Sequence, residues 1–401
     1  MNNRERFLAV VHFQKPDYVP ILGFPGAAGA SRSYWARLRE RLVQTGMPAH
    51  VGSRIIDGKN LEDVESWNQY WGTTGPVECP IRLGCDIQGF KGNTRTEGDF
   101  TVFVSESGEV TRSLRQHNGE YSMPEFIVYP VRDRESWELY CTRMTPKRKL
   151  PAQKFHEACK PYEEREDPLL ICVEGAYHFL RRLLGTEQVS LALYDDPELL
   201  HDMMAWHLEQ ARDCIFPVIE RLRPEIVLMN EDLCYNHGML LSPPHFHEYA
   251  GPQYREVCGL AQECDVALVA VDTDGNAMDF VSIAESYGVN GLFPFEVKGG
   301  NDLFVLRERH PDFVMFGWLE KEVVNEGNES AIEGEILSKA PLIGKGGYFP
   351  NADHSLQPLL TFPNLCRFMT ILHEACGNAN GLYPRVRRQT WQRRENRSRY
   401  R

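Results

Sequence analysis

Acidic residues and one histidine recur at the ends of apolar runs in the second half of the chain. Glu174 ends the run LLICVE, and Glu231 and Asp232 follow the run EIVLMN. Four later runs end in the same way, with Asp272 and Asp274, with Glu296, with Glu320 and Lys321, and with Asp353 and His354. Carboxyl and imidazole groups in such positions can transfer protons or bind a cation.

A carboxylate that follows a strand can also cap a helix or lie in solvent. Six consecutive runs with this ending are too many for capping alone. Crowded carboxylates repel one another, so the cluster calls for a bound cation, protonated members, or a substrate that is cationic or donates hydrogen bonds. Asp272, Asp274 and His354 would give two oxygen ligands and one nitrogen ligand for Zn²⁺ or another divalent ion.

These patterns predict two sets of site residues. The catalytic candidates are Glu231, Asp232, Asp272, Glu296 and His354. The substrate-binding candidates are Glu174, Tyr177, His237, Asn276, Lys321 and Asp353. The glycine-rich segment 23–29 lacks the phosphate-binding pattern of nucleotide loops, and we expect it to cover the substrate instead.

Short apolar runs alternate with amphipathic stretches, which predicts parallel strands joined by helices. The predicted strands are Val19–Gly23, Leu169–Glu174, Glu225–Glu231, Val266–Asp272, Gly291–Val297, Phe313–Leu319 and Gly347–Asn351. The predicted helices are Asp196–Arg221, one that starts at Ser242, Asn301–Glu308, Glu329–Ser338 and Phe362–Ala375. Seven or more such units favour a (β/α)₈ barrel, in which the carboxyl ends of the strands form the active site.

The region 50–165 interrupts this alternation. Phe100–Val104 and Val110–Arg115 predict a β-hairpin around Ser107 and Gly108, and Lys147–Asp167 is expected to form a crossover or lid. We therefore predict one domain over residues 1–384, with 50–165 as an elaboration on the barrel.

Composition and charge limit the classes of partner that the chain is expected to bind. The net charge is −12, and eight of the last seventeen residues are arginine, so the rest of the chain is still more acidic. An acidic body disfavours nucleic acid as a partner, and we expect the basic tail, 385–401, to be disordered. No apolar stretch is long enough to span a membrane, and no C-x-x-C pair occurs among the eleven cysteines. These features predict a cytoplasmic protein with reduced thiols and no membrane partner.

The chain resembles the uroporphyrinogen decarboxylase superfamily from Arg4 to about Ala375. The resemblance rests on segments in a fixed order: RERFLAVVHFQKPDYVPI, MPEFIVYPVRDRESWE, LLGTEQVSLALYDDPELLHDM, NEDLCYNHGMLLSP, VDTDGN, YGVNGLFPFEV and GGYFPNADHSLQP. It implies a TIM barrel. The superfamily holds the decarboxylase, cobamide-dependent methyltransferases that use coenzyme M, and O-demethylase methyltransferases.

The site departs from two branches of that superfamily. The loop after the first strand, GFPGAAGASR, carries one arginine, Arg32, where the decarboxylase has an arginine-bearing loop for its polycarboxylate substrate. The methyltransferases have a His-x-Cys zinc pair where this chain has Asp272-x-Asp274, and a third cysteine near Asp353 and His354. The harder ligand set makes zinc-thiolate activation of coenzyme M less compatible with this chain.

The sequence therefore favours a methyltransferase that moves a methyl group from a small methoxylated or methylated compound to a corrinoid carried by a partner protein. Lys321 would balance the acidic charge. Two alternatives stay open, a decarboxylase-like lyase and a non-catalytic barrel that binds a small molecule. The chain could also form a homodimer.

Overall fold

The structure is a computed structural model that describes residues 1–22, 35–53, 55–56, 60–61, 64–81, 85–87, 92–105, 107–115, 124–146 and 152–386. The glycine-rich segment 23–29, Arg32 and residues 387–401 of the basic tail lie outside these ranges. None of the described helices has the length and apolarity needed to cross a bilayer. The ten cysteines for which the structure describes a side chain are free thiols.

The described ranges contain seventeen strands, which form one large sheet and several smaller ones. They are β1 Ile55–Ile56, β2 Asn60–Leu61, β3 Val77–Glu78, β4 Cys85–Ile87, β5 Asn93–Glu97, β6 Phe100–Val104, β7 Val110–Leu114, β8 Glu125–Val128, β9 Met144–Pro146, β10 Leu169–Glu174, β11 Ile226–Asn230, β12 Cys234–Tyr235, β13 Gly238–Met239, β14 Leu268–Asp272, β15 Gly291–Phe295, β16 Val314–Leu319 and β17 Tyr348–Ala352.

The large sheet is parallel and curled, with seven strands in the order β17-β16-β15-β14-β11-β10-β3. Each predicted strand from Leu169 onward is present within two residues of its expected bounds. The predicted first strand is represented in the described chain by Leu22, which forms a parallel bridge with Thr74 beside β3. Among the described residues, no pairing joins β17 to this segment, so the sheet forms a half-barrel.

Helices surround the large sheet and connect its strands. They are α1 Asn3–Val11, α2 Trp35–Gln44, α3 Val64–Trp71, α4 Arg134–Arg143, α5 Ala152–Cys159, α6 Ala176–Leu184, α7 Thr186–Asp195, α8 Pro197–Cys214, α9 Phe216–Leu222, α10 Pro243–His245, α11 Gly251–Glu263, α12 Met278–Tyr287, α13 Leu303–Arg309, α14 Lys321–Glu326, α15 Glu329–Lys345 and α16 Phe362–Ala375. A π-helical turn over 246–250 joins α10 to α11, and Ser242 caps α10 as predicted.

The single helix predicted over Asp196–Arg221 is two helices. α8 ends at Cys214 and α9 begins at Phe216, with Pro217 in its first turn. Proline lacks the amide that a continuous helix would need and clashes with the preceding turn, so the helix restarts there. The prediction of one uninterrupted helix was wrong because it ignored this residue.

The predicted hairpin belongs to a larger antiparallel sheet. β6 and β7 pair from Phe100↔Leu114 to Val104↔Val110, and β5 and β8 extend the sheet on either side. The segment predicted as a crossover or lid is described over residues 152–167. It lies near the amino ends of the large sheet, where Arg165 donates to Glu225 just before β11.

A stack of phenylalanines fills the interior of the curled sheet below its carboxyl ends. The rings of Phe7 and Phe349 lie 5.4 Å apart, those of Phe349 and Phe316 lie 4.7 Å apart, and Phe293 meets Phe316 edge-on at 5.9 Å. Because Phe7 belongs to α1, this helix closes the amino end of the sheet. The apolar floor leaves the carboxyl ends as the open face.

Glu225 should be a strong stabilising residue at the amino end. Its side chain is 3% exposed and accepts from the Leu169 amide at 2.7 Å and from Arg4 and Arg165. Burial alone would raise the pKa of Glu225, but the bonds from Arg165, Leu169 and Arg4 outweigh it and lower the pKa. We expect Glu225→Gln to lower the free energy of unfolding by about 3 kcal/mol, since it leaves the largely buried Arg165 without its anionic partner.

Urea unfolding at neutral pH measures this loss. The matched control is Glu97→Gln, which breaks an exposed pair with Arg95 and should change stability by less than about 1 kcal/mol. Because the pKa of Glu225 is lowered, its contribution is present above the ordinary pKa of 4.5 and is lost as the pH falls below it. Equal effects of the two substitutions would contradict the assignment.

Candidate functional site

The register of the large sheet places several strand-end side chains in one row. Glu174 lies opposite Asn230, and Asn230 lies opposite Asp272. Asp272 in turn lies opposite Phe293, whose ring belongs to the interior stack. Residues paired in register project to the same face of a sheet. Glu174, Asn230 and Asp272 therefore line the interior at the open, carboxyl end.

Four of the strand-end carboxylates are paired with lysine or arginine side chains. The pairs are Glu174 with Arg182 at 2.6 Å, Asp232 with Arg181, Glu296 with Lys321 at 3.2 Å, and Glu320 with Lys298 at 3.5 Å. Burial alone would raise the pKa of Glu174, but the charges of Arg182 and His207 outweigh it and lower the pKa. The open end is therefore less acidic than its sequence indicates.

Asp272, Asp274 and His354 form the remaining group. His354 Nε2 lies 3.6 Å from Asp274 Oδ1, and the Asp274 side chain is 43% exposed, within reach of a bound molecule. Burial and the nearby charges of Asp232 and Glu296 raise the pKa of Asp274 to about 7.

Burial, with repulsion from Asp274 and Asp232, also raises the pKa of Asp272 well above its ordinary value. Burial and the charge of Lys321 lower the pKa of His354. Near neutral pH this group therefore combines carboxyl protons that can be donated with an uncharged imidazole that can accept one.

Two predicted site residues are buried and bonded to backbone amides. Asp353 is 1% exposed and accepts from the amides of Val297 at 2.9 Å and Lys321 at 3.0 Å. Glu231 is fully buried, and its carboxylate accepts from three amides at the start of α6. Burial raises the pKa of Asp353 and raises that of Glu231 to about 7. Both carboxylates join neighbouring chain segments at the open end of the sheet.

A short hairpin, β12–β13, is fixed to the loop that carries Asp274. The Cys234 amide donates to Thr273 Oγ1 at 2.8 Å, and the Asn276 amide donates to the Tyr235 carbonyl at 2.9 Å. Gly275 has a positive φ, and an added Cβ there would lie 2.5 Å from the Tyr235 backbone. This close approach requires glycine.

The other substrate-binding candidates fall into different surroundings. His237 is exposed on this hairpin, with its ring against that of Tyr235 at 5.6 Å. The Asn276 side chain accepts from the Met278 amide and so supports the start of α12. Tyr177 is 1% exposed. Of these three, His237 has its side chain open to solvent.

The donor set for a metal is incomplete as the described side chains are placed. Within the described ranges, no three His, Cys, Asp or Glu side chains lie close enough together to hold a metal ion. Asp274 and His354 are neighbours, but Asp272 does not complete a three-ligand site with them. As placed, these side chains therefore do not fit the predicted divalent ion.

The sequence did not identify the basic residues contributed by α6. Arg181 and Arg182 are both paired with carboxylates of this chain. His178, on the same helix, is close enough to Glu174 for its pKa to respond to that charge. A usable signal was the spacing: both arginines lie about two helical turns after Glu174, at the start of the crossover.

Comparison with known proteins supports the fold. No protein-family model matches the sequence, and no curated protein matches it significantly. Among solved structures, a methyltransferase from Methanosarcina mazei is similar, with a TM-score of 0.57 at 13% sequence identity, over 93% of this chain and 99% of that chain. The likeness shows that the two chains share an α/β fold built on a curled parallel sheet.

Proposed function

We propose that this protein is a methyltransferase that moves a methyl group from a small methoxylated or methylated compound to a corrinoid held by a partner protein. The observation that carries the proposal is the pairing of Asp274 with His354 at the open end of the curled sheet. The fold that this chain shares with the Methanosarcina mazei methyltransferase supports the same proposal. We further propose that the segment around Leu22 completes an eight-stranded barrel of the superfamily named above.

The proposed chemistry needs an acid at the substrate. The bond between the methyl carbon and the substrate heteroatom breaks, and its electron pair stays on the heteroatom. The proton of the Asp274 carboxyl moves to that heteroatom, which makes it a better leaving group. The partner's corrinoid, in its Co(I) state, would supply the electron pair for the new bond to the methyl carbon. A proton from the solvent then passes through the His354 imidazole to the Asp274 carboxylate and restores the acid.

The other residues of the site prepare this step. Asp272, with its raised pKa, adds a second carboxyl proton that can hydrogen-bond to the substrate. The pairs of Glu296 with Lys321 and of Asp232 with Arg181 limit the negative charge around Asp274. The phenylalanine stack forms the floor on which an apolar part of the substrate can lie.

Decarboxylation of a polycarboxylate is the competing activity. It is favoured by one observation, the presence of Arg181 and Arg182 at the open end. Each of these arginines already has a carboxylate partner from this chain, so a polycarboxylate would have to displace it. This cost makes methyl transfer the better-supported proposal.

Methyl transfer to free cob(I)alamin tests the proposal without knowledge of the partner protein. The purified chain is incubated under anoxic conditions with ¹³CH₃-labelled methyl ethers and methylamines, and the demethylated products are measured by mass spectrometry. We expect label to move from at least one of these compounds to cobalamin. Release of labelled CO₂ from carboxyl-labelled acids, without methyl transfer, would instead support the lyase.

A further inference from the structure

The carboxylate of Glu231 gathers the first amides of α6. Its oxygens accept from the amides of Ala176 and Tyr177, each at 2.9 Å, and from that of His178 at 3.2 Å. These amides have no partner inside the helix, and Gly175 at the N-cap provides no side-chain bond. The Glu231 carboxylate therefore caps the start of α6, although Glu231 follows β11 and α6 follows β10.

Gly175 leaves the space that this contact requires. A Cβ at residue 175 would lie 2.4 Å from the carboxyl carbon of Glu231, closer than atoms can approach. The backbone of Gly175 has φ −70° and ψ 158°, which any residue can adopt. The same Cβ would lie 2.5 Å from the Asn230 carbonyl oxygen, so glycine is required here by the close approach of both Glu231 and the backbone before it.

Asp232, the residue after Glu231, makes a second contact with α6. Asp232 has a positive φ of 54°, so its side chain turns away from that of Glu231 and meets Arg181. Arg181 lies on α6, five residues after Ala176. Two consecutive residues at the end of β11 thus bind α6 at its first amides and about one and a half turns further along.

We infer that Glu231 is a positioning residue, which holds the start of α6 and thereby places Arg181 against Asp232; its effect on turnover rests on the proposed function. Asp232 is close enough to Asp272 and Asp274 for its charge to act on both. If α6 shifted, Asp232 would lose its cation and its charge would act unopposed on the two carboxyl groups. Glu231 is fully buried, so its side chain has no surface that a bound molecule could contact.

Hydrogen exchange of the α6 amides tests the contact itself. At pH 8, above the pKa of about 7 at which Glu231 ionises, we expect the amides of Tyr177 and His178 to exchange about tenfold faster or more in Glu231→Gln, because a charged acceptor is lost. Gly175→Ala should do the same by displacing the carboxylate together with the Asn230 carbonyl, while the Glu231 side chain itself is unchanged. The matched control is Asp196→Asn, which alters the cap of α8 at Leu199 and should leave exchange in α6 unchanged.

A double-mutant cycle tests the route through Arg181. We expect Glu231→Gln and Arg181→Met each to lower kcat for methyl transfer with KM unchanged, and the double variant to be no slower than Arg181→Met. If the double variant lost activity by the product of the two single losses, the route through Arg181 would be overturned. Unchanged exchange in both Glu231→Gln and Gly175→Ala would overturn the positioning role, whereas a wild-type protein without turnover would count against the proposed function alone.

Discussion

Asp274→Asn should lower kcat for methyl transfer about 100-fold or more, with the protein still folded. The substitution keeps the shape of the side chain but removes the proton that we assign to the leaving heteroatom, and loss of a general acid typically costs this much. Rapid-quench measurement of the demethylated product, with circular dichroism to verify the fold, gives the result.

Asp265→Asn is the matched control for this variant. Asp265 carries the same side chain, but it lies before β14, at the opposite end of the sheet, where it is 88% exposed and 3.1 Å from Arg223. We expect this variant to retain wild-type turnover. A similar loss in both variants would show that the effect of Asp274→Asn is not specific to the site.

The same assignment predicts the pH dependence of the wild-type protein. Since the pKa of Asp274 is raised to about 7, its carboxyl carries the proton below that pH and loses it above. Turnover should therefore fall as the pH rises from about 6 to about 8, once the substrate is saturating. A rate that stays level across this range would contradict proton donation by Asp274.

Arg307→Lys should produce a large loss of stability at the amino end of the sheet. Arg307 is 7% exposed, and its guanidinium donates to four carbonyl oxygens. They belong to Pro311 at 2.7 Å, Phe313 at 2.8 Å, Gly346 at 3.3 Å and Gly347 at 2.9 Å. An ammonium group has three donors on a flexible stem and cannot reproduce this planar fork.

We expect Arg307→Lys to lower the free energy of unfolding by about 2–4 kcal/mol, because it leaves buried carbonyl groups and a buried charge without full hydrogen bonding. The guanidinium also lies over the Phe13 ring at 4.8 Å, a contact that lysine would weaken. Urea unfolding measures the loss. Arg309→Lys, on the exposed side of the same helix, should cost less than about 0.5 kcal/mol. Equal costs would refute the role of Arg307.

Much of the central sheet could be predicted from local patterns. β10 and α16 have the predicted bounds, Leu169–Glu174 and Phe362–Ala375, because their apolar residues are bounded by clear end signals. α15 was expected to end at Ser338, before Pro341, but it continues to Lys345. Its packing against α16 and β17 compensates for the amide that proline lacks, and such tertiary support is not visible in a local pattern.

The composition of the site was more predictable than its pairing. Because parallel strands end on one face, the position of Asp272 in the chain was enough to place it at the open end. The separation of the Glu231 and Asp232 side chains was not predictable, since it depends on the positive φ of Asp232. The cation at Asp232 comes from a helix, and no spacing within the strands indicates it.

The pKa of Asp274 tests the central claim most directly, because it requires neither a substrate nor a partner protein. The protein is prepared with ¹³C-labelled aspartate carboxyl groups, the signal of residue 274 is assigned by its absence from Asp274→Asn, and its shift is followed with pH. A midpoint near 7 is expected for a carboxyl that donates a proton at neutral pH. A midpoint near the ordinary value of 3.8 would mean that Asp274 is an ionised carboxylate and would contradict the account.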